Sequence, residues 1–218
     1  MPLDLATRLR NETASAQQRA EKAGFLTRLA ERTASRAAYR AILLDLAAIY
    51  GALEEELEAQ SEHPVVAKLQ LPELWRSEGL VADCKAFEVD PAAPPSAPGA
   101  RYIARIREVA GADPTLLAGH FYARHASGLV TTQILKRSIE AVFPGGGSEF
   151  YDYGDVNISM MRNQLRMMFN ELPLTPSEAG AVVKEAILSF ELGAAVFEAP
   201  EKATPPPPPV APTPPAAG

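Results

Sequence analysis

The chain contains a single cysteine, Cys84. One thiol can form neither an internal disulfide nor a cysteine-cluster metal site, and it suits a reducing compartment. Positive charge is also short, with 21 Lys and Arg against 27 Asp and Glu and a formal net charge of −6. That balance argues against non-specific binding to DNA or to an anionic membrane, both of which need clustered positive charge. It leaves room for a local basic pocket that takes a small anion. No apolar stretch approaches the roughly 20 residues a bilayer-crossing helix needs. The N-terminal run MPLDLATRLRNETASAQQ has no continuous apolar region of the secretory type. The expectation is a soluble cytoplasmic protein with no membrane or nucleic-acid partner. Segments of alternating polarity bounded by turns are missing, so strands are not expected. There is no GxGxxG, Walker loop, GxSxG, HExxH or CxxC. The three histidines, His63, His120 and His125, are too few and too scattered for a zinc triad by spacing alone.

What the chain does have is helical periodicity. Its 218 residues, 47% of them hydrophobic, suit one ordinary globular domain. From Ser35 onward, SRAAYRAILLDLAAIYGALEEELEA places Tyr39, Ile42, Leu43, Leu46, Ile49, Tyr50, Leu53 and Leu57 on one stripe, with Ser35 as N-cap. Glu54, Glu55, Glu56 and Glu58 near its end read as a solvated face rather than a metal site. Further helices are predicted at about 5–22, 73–88, 99–110, 115–142, 155–170 and 176–198. Thr175-Pro176 and Asp113-Pro114 mark starts, and breaks fall at Glu62-His63-Pro64, Asp90 to Gly99 and Pro144 to Gly147. The fold class is therefore all-α, a single multi-helix domain over residues 1–199. Nine of the 20 prolines lie between Pro200 and Pro215. Residues 200–218 are accordingly expected to be a disordered Pro-rich tail, serving as a spacer or as a polyproline docking segment.

Three helices carry pairs that can do chemistry. Arg10 and Gln17 lie seven residues apart and share a face of the first. Arg162 and Arg166 stand at i and i+4 in MMRNQLRMMFN, beside an apolar stripe. They read either as snorkelling surface residues or as a fork for the carboxylates of a ligand with an apolar body. In FYARHASGLVTTQILKRSIEAVF, Phe121, Tyr122, His125, Gly128, Leu129 and Thr132 fall on one face. Gly128 in mid-helix indicates a close backbone approach or a kink, with tight helix packing as the structural alternative.

These segments together resemble the heme oxygenase family. LATRLRNETASAQQRAEKAGFLTRL, the following SRAAYRAILLDLAAIYGALEEELE, YARHASGLVTTQILKR and MMRNQLRMMFNELPLTPSEAGAVVKEAILSFELGAAVF occur in the family's order across residues 3–198. The resemblance implies a heme clamped between a proximal first helix and a kinked distal helix. The family oxidises heme to biliverdin, releasing iron and carbon monoxide, with O2 and an external electron donor, a reductase or a ferredoxin. By position, Arg10, Tyr122, Arg162 and Arg166 match residues that hold the heme propionates. Phe190 matches an aromatic of the pocket, and His120 a histidine that is not the iron ligand.

Two departures stand out. The family's iron-binding histidine falls at Gln17, whose amide oxygen is a weak donor beside imidazole. The family's distal Gly-Asp-Leu-Ser-Gly-Gly falls at Ser127, Gly128, Leu129, Val130, Thr131 and Thr132. Gly128 thus takes the place of the proton-organising Asp, and Ser127, Thr131 and Thr132 take the places of glycines. His125 is a further candidate for the iron from the distal face, against the alternative of a buried histidine bonded to a backbone carbonyl. Three functional readings follow. One is a heme oxygenase with an unusual proximal side, and another is a non-catalytic binder of heme, iron-free porphyrin or bilin. The third is a helical scaffold acting through its Pro-rich tail.

Overall fold

The computed structural model describes residues 4–203. Among these residues the chain is all-α, with the helices α1 (Leu5–Glu21), α2 (Gly24–Ala30), α3 (Arg36–Ala59), α4 (Ser77–Ala86), α5 (Ala97–Ala112), α6 (Leu117–Phe121), α7 (Thr132–Val142), α8 (Ile158–Asn170) and α9 (Pro176–Ala203). They form one domain around a continuous apolar core.

Local chemistry sets most of the helix starts. Asp4 caps α1 by accepting from the Thr7 amide at 3.0 Å, and Ser35 caps α3 through the Ala38 amide. Ser96 and Asn157 do the same for α5 and α8. Thr175 and Glu178 form a reciprocal capping box ahead of α9, with Pro176 at its first position. The stripe predicted on α3 is buried at every one of its eight positions, and this helix is the centre of the core. Helices α4 and α5 flank it, while α9 packs along α1, α5 and α6.

Several boundaries differ from expectation. The helix expected at 73–88 is a short 3-10 turn, Pro72–Leu74, followed by α4. The break has a tertiary cause. Glu54 of α3 reaches across to accept from the Arg76 amide at 2.6 Å and the Ser77 amide at 3.2 Å, so it caps α4 from another helix. Glu54 is therefore buried, in contrast to the solvated face expected of it. Burial pushes its pKa up, and the two amide bonds oppose the shift. Helix α2 was not foreseen, because seven residues following Ala23 are too few to show a period. Helix α9 passes through Pro200 and ends at Ala203, so residues 200–203 do not belong to the expected tail. Proline in the last turn forfeits a single backbone bond there. The remainder of that tail, 204–218, lies outside the described residues.

The segment expected as one helix over 115–142 is broken in the middle. After α6 the backbone opens into a π-helical turn at Tyr122–Ala126, tightens into a 3-10 turn at Ser127–Val130, and resumes as α7. Changes of hydrogen-bond register leave carbonyls without their usual helical partners. The Ser127, Thr131 and Thr132 hydroxyls donate to the carbonyls of Ala123, Gly128 and Leu129, at 3.1, 3.0 and 3.0 Å. Gly128 has no atom within 4 Å of where a Cβ would stand, so it marks the kink and not a close approach. The close approach is at Gly119 on α6, where a Cβ would come within 2.8 Å of the Ala186 nitrogen and the Val182 carbonyl oxygen on α9.

Candidate functional site: a slot between the first helix and the kinked segment

The kinked segment faces α1 across a slot with two connected compartments, which share Gln17 and Ser127 in their walls. The inner compartment is open to solvent and mainly aromatic and aliphatic, with Tyr50, Phe150, Tyr151, Tyr153, Phe190 and Phe197 in its walls. The outer one is bounded by Arg10 of α1, Tyr122 of the kink, and Arg162 and Arg166 of α8. An apolar cleft with a few convergent polar groups at its mouth is the usual form of a small-molecule site.

Each polar group is set by its helix. Leu5, Leu9, Thr13, Ala16 and Ala20 bury one face of α1 and leave Arg10 exposed beside the mouth. Met161, Leu165 and Phe169 anchor α8, so Arg162 and Arg166, one turn apart, project from it. Among the described residues, Arg10, Arg162 and Arg166 have no carboxylate within 4.0 Å. Arg10 makes only a 3.4 Å bond to the Asn11 side chain. These three guanidinium groups make no ion pair among the described residues, Arg166 acting only at longer range on the exposed Asp4, and this prepares the mouth for carboxylates from outside. Tyr122 is partly buried between them. Burial raises its hydroxyl pKa, with Thr13 and Arg10 opposing the shift.

Gln17 is on the α1 side of the slot. Its Nε2 donates to Glu21 Oε1 at 2.9 Å, one turn further along. A carboxylate can only accept, so this bond fixes the orientation of the amide and leaves Oε1 as the free acceptor. On the opposite wall are Ser127, Gly128, Thr131 and Thr132. The three hydroxyl protons are committed to backbone carbonyls, which leaves these oxygens only as acceptors. Phe190 packs with Ala16, Ala20 and Ala123 in a small apolar cluster at the junction of α1, α9 and the kink.

His125 is excluded from the slot. It lies on the far side of the kink with no exposed surface, and its Nδ1 donates to the Leu74 carbonyl at 3.0 Å. The π-turn rotates it away from the face that a regular helix would give it. Its Nε2 is 3.8 Å from Glu54 Oε1, too far for a hydrogen bond. Burial holds the imidazole neutral, with its pKa pushed down to about 3, so this contact is not an ion pair. The candidacy of His125 as a distal iron ligand is thereby corrected. The unfolded chain protonates this residue near its ordinary value of about 6.5, so stability is lost as pH falls from there through about 3. The contribution amounts to roughly 3 kcal/mol between pH 7 and pH 4. Urea unfolding across that range is expected to show a shallower pH dependence in His125→Phe than in the parent. Parallel curves would assign the acid sensitivity to other groups.

His120 is equally buried. Its Nε2 bonds to Glu185 Oε1 at 3.0 Å, and Glu185 also accepts a bidentate fork from Arg105 at 2.9 and 2.7 Å. Neither His120, His125 nor His63 lines either compartment. No group of three His, Cys, Asp or Glu suited to a metal ion occurs among the described residues. Nor is any of their helices long and apolar enough to cross a membrane.

The family model for heme oxygenase matches residues 3–199. The chain belongs to the heme oxygenase family. Heme oxygenase 1 of Synechocystis sp. is 30% identical over 207 residues, covering 90% of this chain and 85% of the relative. The human heme oxygenase 1 is 31% identical over 210 residues, covering 91% and 72%. Among solved structures, Synechocystis heme oxygenase-1 in complex with heme superposes with a TM-score of 0.87 at 29% identity, covering 92% of this chain and 94% of that one. The Leptospira interrogans heme oxygenase gives 0.86 at 28%, covering 90% and 100%.

Within this heme oxygenase fold, sequence reasoning left several wall residues unassigned. Arg124 lies across Gly193 of α9, where a Cβ would come within 3.0 Å of its guanidinium, and its carbonyl accepts from the Tyr50 hydroxyl at 2.8 Å. Tyr50 reads in the sequence only as core. Tyr151 and Tyr153 follow a glycine-rich stretch with no period, and burial raises both hydroxyl pKa values, that of Tyr153 to about 12. Glu21 carries no signal of its own beyond its i, i+4 spacing from Gln17.

Proposed function

We propose that this chain binds heme or a closely related tetrapyrrole, with the macrocycle in the aromatic compartment and its carboxylates at the basic mouth. Oxidative opening of heme to biliverdin, with release of iron and carbon monoxide, is the reaction class. O2 and an external electron donor, a reductase or a ferredoxin, would supply what the chain does not. The observation that carries this reading is the convergence of Arg10, Tyr122, Arg162 and Arg166 on one opening, beside a cleft of the right apolar character. Arg10 and Tyr122 would hold one side of the carboxylate edge and the two α8 arginines the other. Phe190 and the alanines around it would pack on the macrocycle. Ser127, Gly128, Thr131 and Thr132 would border its distal face, where accepting oxygens in place of donors would shape any bound water.

The residues fit the macrocycle and its carboxylates, but they do not fit the iron equally well. At the proximal position that the family's histidine would occupy, Gln17 offers an amide oxygen, and no imidazole lines the slot. That observation favours a second reading, a non-catalytic tetrapyrrole binder of the same fold. Titration with hemin, followed by reductant and O2, separates the two. Saturable binding followed by replacement of the heme absorption with a bilin spectrum is expected of an oxygenase. An unchanged heme spectrum supports the binder. Failure to bind any tetrapyrrole at micromolar concentration defeats both and returns the chain to a helical scaffold.

A further inference from the structure

We infer that the proximal side of the slot is built to accept pyrrole N–H groups rather than to ligate a metal, so that an iron-free tetrapyrrole is bound at least as tightly as heme. This rests on the tetrapyrrole reading above. The argument starts at Gln17. Its amide is held by Glu21, an acceptor-only group, which accepts from Nε2 at 2.9 Å and so leaves Oε1 unengaged. That oxygen accepts no hydrogen bond among the described residues, although it belongs to a side chain lining both compartments. Glu21, an exposed residue, is also among those lining the inner compartment. Donating to a carboxylate polarises the amide and strengthens its oxygen as an acceptor.

The two ligand classes differ at their centres. Heme presents a metal that seeks a lone-pair donor such as imidazole, and an amide oxygen is a poor substitute. An iron-free porphyrin or a bilin presents inward N–H donors, which need acceptors once they leave water. A site with one oriented amide oxygen, a neighbouring carboxylate and no imidazole matches the second centre. The opposite wall is consistent with this, since its hydroxyls donate to their own backbone and offer only lone pairs. Both ligand classes carry the same carboxylates, so the arginine mouth does not discriminate between them. Selectivity is thus assigned to Gln17 as the contacting residue and to Glu21 as the residue that positions it.

The test measures dissociation constants of the intact protein for hemin, protoporphyrin IX and biliverdin by absorbance and fluorescence titration. Protoporphyrin IX or biliverdin, or both, should bind as tightly as hemin or more tightly, and the tighter of the two identifies whether a cyclic or an open ligand is preferred. Gln17→Leu should weaken the iron-free ligands by about tenfold, the effect of one lost hydrogen bond to a desolvated donor, and leave hemin within about twofold. Glu21→Ala should give a smaller loss with the same selectivity. Gln17→His should tighten hemin by about tenfold or more, with a change in its visible spectrum that reports imidazole ligation, and should not tighten protoporphyrin IX. Hemin binding more than about tenfold tighter than both iron-free ligands in the parent protein would overturn the inference, as would an equal effect of Gln17→Leu on all three. If no tetrapyrrole binds, the tetrapyrrole reading itself has failed. Binding of hemin alone defeats only the present inference.

Discussion

Replacing Arg162 and Arg166 together by alanine is expected to weaken tetrapyrrole binding about 100-fold. The two guanidinium groups stand one turn apart on α8, exposed, at the mouth of the slot and without a carboxylate within 4.0 Å among the described residues. A hydrogen bond to a charged group contributes on the order of 1.5–3 kcal/mol, and solvent at the mouth argues for the lower end. Two such bonds give roughly 3 kcal/mol, which is about two decades in the dissociation constant. The helix itself should survive the change, because Met161, Leu165 and Phe169 hold it to the core from the other face. Its thermal unfolding should therefore stay close to that of the parent protein. The binding should also weaken as salt is added, since the charges are within reach of screening ions. A loss of less than about threefold, for hemin and iron-free ligands alike, would show that the mouth does not hold the carboxylates.

The largest effect on stability is expected at Glu185. Its side chain is only 6% exposed yet accepts three bonds from two residues, the Arg105 fork and His120 Nε2. Burial pushes the carboxyl pKa up, but Arg105 and then His120 outweigh it and bring the value down to about 2. Removing Glu185 leaves His120 buried without its partner, which costs more than the intact contact contributed, whereas Arg105 is partly exposed and keeps its ion pair with Glu108 at 3.0 Å. In Glu185→Ala, His120 would keep no hydrogen bond among the described residues, since its Nδ1 has no partner among them. The expected loss is about 3 kcal/mol in urea unfolding at pH 7, the low end for a buried pair, because Arg105 keeps Glu108 and solvent. Glu185→Gln should cost less, because its amide oxygen can still accept from one neighbour. The pH sign follows from the lowered carboxyl. Its contribution is fully present above the unfolded value of about 4.3 and is lost as pH falls from there through about 2. The parent protein and Glu185→Ala should therefore converge in stability toward pH 2, and a constant gap between them would disprove the assignment.

The α3 stripe and the caps at Ser35 and Thr175-Pro176 were legible because they depend on neighbours within one or two turns. The same is true of Arg162 and Arg166 as a pair, whose i, i+4 spacing is a property of any helix. Four features were not legible, and each has a partner far away in the chain. Glu54 looks like surface acid until the ends of α4 come to it, 22 residues on. His125 looks pocket-facing until the register of the kink is known. Gly128 looks like the packing glycine, yet the packing is done by Gly119 against α9. The wall tyrosines Tyr151 and Tyr153 lie in an aperiodic stretch, where nothing local says which face is inward.

Periodicity and capping residues were sufficient for the all-α class, because these are carried by contacts that are close in sequence, and the order of the motifs carried the resemblance to the family. The same information named Arg10, Tyr122, Gln17, Arg162 and Arg166 but did not place them around one opening. That placement depends on α1, the kinked segment and α8 packing together, and on hydrogen bonds such as Gln17 to Glu21 that choose which atom of a side chain is left unengaged. Orientation of this kind depends on which backbone and side-chain groups are left unpaired once the helices meet, and only the folded chain decides that.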